Sequence, residues 1–128
     1  MLILMFNCQK ERNINGNYYV CQNGEYIEVY FKKDSMRVVS DDHWVKLTEW
    51  EKIEIKNDTL HFETFGEWRM PSKAKIEYVE KRRINLIILV SKNVEVVNLK
   101  SIYENVNSEN SEAFWNGFYK RLNSSDCN

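Results

Sequence analysis

The sequence predicts a mainly β fold: an antiparallel up-and-down meander of about eight strands, closing into a barrel or a strongly curved sheet, with one C-terminal amphipathic helix. Three observations carry this expectation. Residues 18–22 and 25–31 flank Asn23-Gly24, a pair that readily adopts the positive φ values of a two-residue hairpin turn. Residues 50–56 and 59–70 flank Asn57-Asp58 with apolar and polar side chains in alternation on both sides. Near the end of the chain, Phe114, Phe118 and Leu122 recur at the four-residue spacing of a helix face.

The first 13 residues precede the predicted domain, which spans residues 14–123. Residues 1–6 (MLILMF) are apolar, Cys8 follows, and residues 9–13 are polar. That is the order of a lipoprotein leader, with a cysteine to be acylated and a hydrophilic tether behind it. The run lacks a basic start and is shorter than the roughly 7–15 apolar residues of a complete leader, which a start codon upstream of Met1 would explain. The other reading is an ordinary Cys8 on a frayed or β-paired terminus.

In the first hairpin Val20 faces Ile27 and Tyr18 faces Val29, and with Phe31 they make an apolar face. The opposite face carries Tyr19, Cys21, Tyr26, Glu28 and Tyr30, and the phenols of Tyr19, Tyr26 and Tyr30 make it a candidate partner surface. A turn at residues 32–35 sets Met36 opposite Phe31 and Val38 opposite Val29. A polar break at residues 41–43 and a short strand at 44–48 lead into the second ribbon. There Ile55 faces Leu60 and Ile53 faces Phe62 on the core side, while Lys52–Glu63, Glu54–His61 and Trp50–Phe65 pair on the other. With its second strand running on to Met70, the ribbon aims Ile53, Ile55, Leu60, Phe62, Trp68 and Met70 inward, as core filler or as the lining of an apolar cavity.

Pro71 ends that pairing, and the strand after it is expected to set Ile76 opposite Trp68 and Tyr78 over Gly66. Residues 81–83 (KRR) read as a solvated hairpin tip. Residues 84–90 are apolar on both faces, so something must pack outside them. The register of the last strand, residues 94–99, depends on whether the loop before it has two or three residues. Ser111 is the expected cap of a helix over residues 111–122, with Lys120 and Arg121 complementing the dipole at its end. Its aromatic stripe is expected to cover the outside of residues 84–90 or to plug one end of the barrel. Residues 124–128 form a tail.

Composition narrows the function. With 18 basic and 19 acidic residues the net charge is −1, which gives nucleic acid no electrostatic footprint. No apolar run approaches the roughly 20 residues of a membrane-spanning helix. His43 and His61 are the only histidines. His43 lies in an acidic turn without a second ligand cluster, and His61 has a cross-strand carboxylate beside it, so no metal is expected. Glu54, Glu63 and Glu67 each have a basic neighbour, and there is no nucleotide fingerprint, nucleophile elbow or CxxC. The reading is a non-enzymatic protein without a cofactor. Three cysteines leave two alternatives: if Cys8 is acylated, Cys21 and Cys127 remain to form a disulfide in an oxidising compartment, whereas in the cytosol both are ordinary thiols.

Ile14-Asn15-Gly16-Asn17-Tyr18 at the start of the first strand, the meander behind it and the terminal aromatic helix resemble the lipocalin-like domains of small bacterial lipoproteins. That family opens on an apolar residue followed by Gly-x-Trp; Gly16 matches, and Tyr18 stands at the tryptophan position. The resemblance implies a barrel whose mouth holds a small apolar molecule, on a protein anchored by lipid at the periplasmic face or outer membrane. The expected function is therefore binding of a small apolar ligand or a protein partner in the cell envelope. If Cys8 is not lipidated, the alternative is a cytosolic interaction protein such as a toxin-neutralising immunity protein.

Overall fold

The computed structural model describes residues 14–41, 46–64, 70–80, 83–90 and 92–127. The described residues form β1 (Gly16–Gln22), β2 (Glu25–Lys32), β3 (Ser35–Ser40), β4 (Glu51–Lys52), β5 (Glu54–Lys56), β6 (Thr59–Glu63), β7 (Pro71–Glu80), β8 (Arg83–Val90), β9 (Asn93–Ser101) and α1 (Ser111–Asn123). All the strands belong to one antiparallel sheet ordered β4-β3-β2-β1-β9-β8-β7-β6-β5. Its two edge strands are consecutive in the chain and separated only by Ile53, so the sheet curls into a nearly closed barrel. β4 and β5 act as one strand that changes partner: Glu51 and Lys52 lie opposite Met36 and Ser35, while Ile55 lies opposite Leu60. Counted that way the barrel has the eight staves that the sequence predicts.

The turns explain why the register is so regular. Asn23 and Gly24 have φ of 53° and 78°, and Asn57 and Asp58 have 51° and 60°. Positive φ at both central residues twists a two-residue turn in the same sense as the strands it joins. Val20 accordingly faces Ile27, Tyr18 faces Val29, Met36 faces Phe31 and Glu54 faces His61. β8 and β9 join through a two-residue turn with Val90 opposite Asn93, which sends Ile84 and Leu86 into the core and Leu89 outward.

Two parts of the second ribbon depart from expectation. The Ile53 N–H donates to the Asp34 carbonyl at 2.8 Å, so Lys52 faces Ser35 in place of Glu63, because this strand must leave β6 to close the barrel. β6 stops at Glu63, the Thr64 N–H donates to the Met70 carbonyl at 2.9 Å, and Pro71 opens β7 opposite Glu63. Ile76 therefore bonds to the Asp58 carbonyl instead of lying opposite Trp68. Cys8, His43, Phe65, Gly66, Glu67 and Trp68 lie outside the described residues.

Thirteen inward side chains, from Ile14 on β1's approach to Leu99 on β9, form the barrel core, and none is more than 8% exposed. Six further apolar side chains, Ile27, Val38, Ile55, Phe62, Ile88 and Val97, pack against this cluster and keep part of their surface. A second cluster lies outside the barrel. Phe114 and Phe118 of α1 pack on Tyr26, Tyr30 and Val39, so the helix covers the outer face of β1–β3 and not residues 84–90. Its cap is Asn110, whose side-chain oxygen accepts from the Ala113 N–H at 3.3 Å, while Ser111 is the first helical residue. No described element covers the outside of β8, where Leu89 is 70% exposed.

Past α1, Cys127 is joined by a disulfide to Cys21 on β1, with Cα atoms 5.3 Å apart and a sequence separation of 106. Closing so long a loop restricts the unfolded chain strongly. Replacing both cysteines by serine is expected to lower unfolding free energy by about 2–5 kcal/mol in urea denaturation monitored by circular dichroism.

Candidate functional site

The phenolic face of β2 is where the sequence places a partner surface, and the structure puts it under α1. Tyr26 and Tyr30 are buried and Tyr19 is half-buried, stacked on Tyr26 with ring centroids 5.8 Å apart. The reason is Glu28, which lies between the two buried tyrosines on the same face and is 0% exposed. A carboxylate without solvent needs donors for both oxygens. Tyr26 and Tyr30 each donate a hydroxyl to it, and Arg121 of α1 adds Nε at 2.7 Å and Nη2 at 3.0 Å. Burial and the adjoining carboxylate push both phenols well above their ordinary range. For Arg121, burial disfavours the charge, yet the hydrogen bonds and ion pair with Glu28 outweigh it and raise its pKa. Tyr26 and Tyr30 of this surface are thus covered by the docked helix, while Tyr19 stays half-buried.

A second arginine ties the loops to the same side. Arg37 on β3 is buried over the Trp50 ring, 5.1 Å from its centroid, and donates to the Thr48 carbonyl and to Ser108 Oγ. The connector before α1 and the segment before β4 are thereby fastened to β3.

A concavity lies where the barrel wall changes partner. Because β4 turns to β3 while β5 stays with β6, the wall opens into a groove of about 690 Å³ lined by residues from the β2–β3 turn, β4, β5 and β6. Ile53, Ile55 and Phe62 form its apolar floor, and Ile55 and Phe62 are only half-buried there. The rim alternates charge: Lys33, Lys52 and Lys56 against Glu51, Glu54 and Glu63, with His61 among them. Lys56 Nζ is 3.1 Å from Glu54 Oε1 on the surface, where solvent screening leaves such a pair little energy. A volume of this order matches small-molecule sites, whose usual design is an apolar floor with a few orienting polar groups.

The six side chains expected to line a cavity separate accordingly. Ile53, Ile55 and Phe62 meet at the groove, whereas Leu60 is fully buried core filler. Met70 is 62% exposed, and its carbonyl accepts from the Thr64 N–H. The chemistry that the sequence does not reveal is the Glu28–Arg121 pair. Its only signal is a lone acid among tyrosines on a face that alternation marks as outward. Among the described residues no group of three His, Cys, Asp or Glu side chains is arranged to hold a metal, and no helix is long and apolar enough to cross a membrane. Comparison with protein-family models, curated proteins and solved structures finds no match to this chain.

Two measurements check the buried cluster. Arg121→Met strands a buried carboxylate and is expected to cost about 3–5 kcal/mol in chemical denaturation. The phenols supply a pH dependence whose sign follows from linkage. Their folded pKa values lie above the ordinary 10.0, so the unfolded chain releases these protons first, and stability is intact below pH 10 and falls as pH rises beyond it. Tyr26→Phe and Tyr30→Phe should each flatten that alkaline decline, by up to about 1.4 kcal/mol per pH unit, when urea midpoints are compared at pH 9 and 11.

Proposed function

We propose that this chain is a lipid-anchored cell-envelope protein with a lipocalin-like domain, and that it binds a small amphiphile without transforming it. The Cys21–Cys127 bridge carries the address, because disulfides persist in oxidising compartments and are rare in the cytosol. With that pair engaged, Cys8 is the remaining cysteine and stands where a lipoprotein leader places the acylated one. The groove in the barrel wall supports this reading, because Ile55 and Phe62 keep part of their surface in it. There an apolar chain would lie on Ile55 and Phe62, and Lys52 or Lys56 would meet an anionic head group. Against the cytosolic immunity-protein alternative, α1 covers two of its three surface tyrosines, Tyr26 and Tyr30.

The address is tested by blocking thiols in intact cells and measuring the mass of the recovered protein, with any upstream codons restored. One disulfide and one acylated cysteine are expected; free Cys21 and Cys127 thiols would refute the envelope assignment. For the groove, saturable binding of a fluorescent long-chain fatty acid should be weakened about tenfold or more by Phe62→Ala, the scale of one lost aromatic contact. Binding indifferent to that substitution would move the ligand elsewhere.

A further inference from the structure

Two clefts meet at the start of β1 and share no lining residue with the β4–β6 groove. The connector from β9 to α1 forms a wall of both. Its Ile102 N–H donates to the Asn17 carbonyl at 2.7 Å, and farther on Arg37 holds Ser108 Oγ through a 3.0 Å hydrogen bond. Beside these two fastenings lie a cleft of about 430 Å³ that reaches Trp50 and one of about 360 Å³ that reaches Tyr103. Asn15, Gly16 and Asn17 line both. Volumes of this order belong to small-molecule sites.

An aromatic ring stands in each cleft. Trp50 is half-buried and fixed by the Arg37 guanidinium, 5.1 Å from its ring centroid, whereas Tyr103 is 77% exposed. The polar groups between them are mostly donors. Asn15 spends its side-chain oxygen on the Lys33 N–H at 2.9 Å, and Asn107 spends its oxygen on the Glu109 N–H at 3.0 Å, so each keeps its NH2 group for a ligand. Lys32 adds an exposed ammonium, and Glu109 supplies a carboxylate acceptor. Among the described residues Val106, half-buried, is the one aliphatic side chain lining the larger cleft.

This composition selects among ligands. An acyl chain would find little apolar wall. A nucleotide could stack on Trp50, but its phosphate would meet Lys32 alone against Glu109, because Arg37 is engaged by the Thr48 carbonyl and Ser108. A sugar ring matches better: its C–H face lies on an aromatic ring while the hydroxyls at its edge reach the amides and the carboxylate. The surplus of donors favours a sugar that also carries carbonyl groups. An acetamido substituent does, and its carbonyl would accept from Asn15 or Asn107 while its methyl lies on Val106.

We propose that the two clefts bind a short saccharide chain carrying acetamido groups, with one ring on Trp50 and another toward Tyr103. This site is separate from the amphiphile groove, and the two succeed or fail independently.

A titration of the full chain, with its disulfide intact, against the tetramer of N-acetylglucosamine tests the site by heteronuclear NMR. The side-chain amide signals of Asn15 and Asn107 and the Trp50 indole N–H are expected to shift saturably below about 10 mM. Asn15→Asp and Asn107→Asp keep the oxygen that accepts the backbone N–H and remove only the donor. Each should weaken binding by about threefold to tenfold with the melting temperature unchanged. Tyr103→Ala, at an exposed position, should weaken it by about threefold to tenfold. Cellotetraose, the same chain without acetamido groups, should bind at least about tenfold more weakly, and Phe62→Ala should leave tetramer binding as it is. The proposal is overturned if those three signals show no saturable shift, if cellotetraose binds as tightly, or if both Asn→Asp variants bind unchanged. Loss of tetramer binding in Phe62→Ala also overturns it, because the sugar then occupies the groove.

Discussion

The buried carboxylate of Glu28 organises the outer half of this molecule. Strand alternation places it on the outer face of β2, and a charge left there without solvent would cost several kcal/mol. Four donors resolve the problem: two from tyrosines on its own strand and two from Arg121. Arg121 can reach it only if α1 lies across β1–β3, and Phe114 and Phe118, on the same side of the helix, then bury themselves against Tyr26 and Tyr30. Gly117 fits the same constraint: a Cβ there would come within 3.0 Å of Arg121 Nη1. Placing the helix by this ion pair also decides what it does not cover, which is the apolar outside of β8 and β9.

The barrel itself closes by a compromise. A strand that stayed with β6 along its whole length would leave β3 as a free edge, and one that moved entirely to β3 would free β6. The chain divides between them at Ile53, whose side chain fills the core while its N–H reaches Asp34. Both edges are then satisfied in part, and the wall opens on one side. β1 and β9 pair through Tyr18 with Ser101 and Tyr19 with Lys100, and Gln22 bonds to Glu95 farther along.

Much of this was legible in the sequence where one local rule dominates. Asn23-Gly24 and Asn57-Asp58 set two hairpin registers through turn geometry alone, and alternation then assigned Val20, Val29, Ile55 and Leu60 to the core. The same rules were silent where two partners compete. The sequence pairs Lys52 with Glu63, and only closure of the whole barrel moves it opposite Ser35. The position of α1 was misread because apolar residues on both faces of β8 suggested a cover, while the need of Glu28 for a cation 93 residues away leaves no local trace. Of the candidate site, Ile53, Ile55 and Phe62 were visible as one face, but the opening that exposes two of them comes from that non-local choice.

If α1 is docked by the charge pair, a double-mutant cycle between Glu28→Gln and Arg121→Met should reveal it most directly. The two positions are expected to couple by about 2–3 kcal/mol in unfolding free energy, so that the double variant is far less damaged than the sum of the singles. Additive effects would mean that the aromatic contacts alone seat the helix, and the organising role assigned here to Glu28 would be wrong.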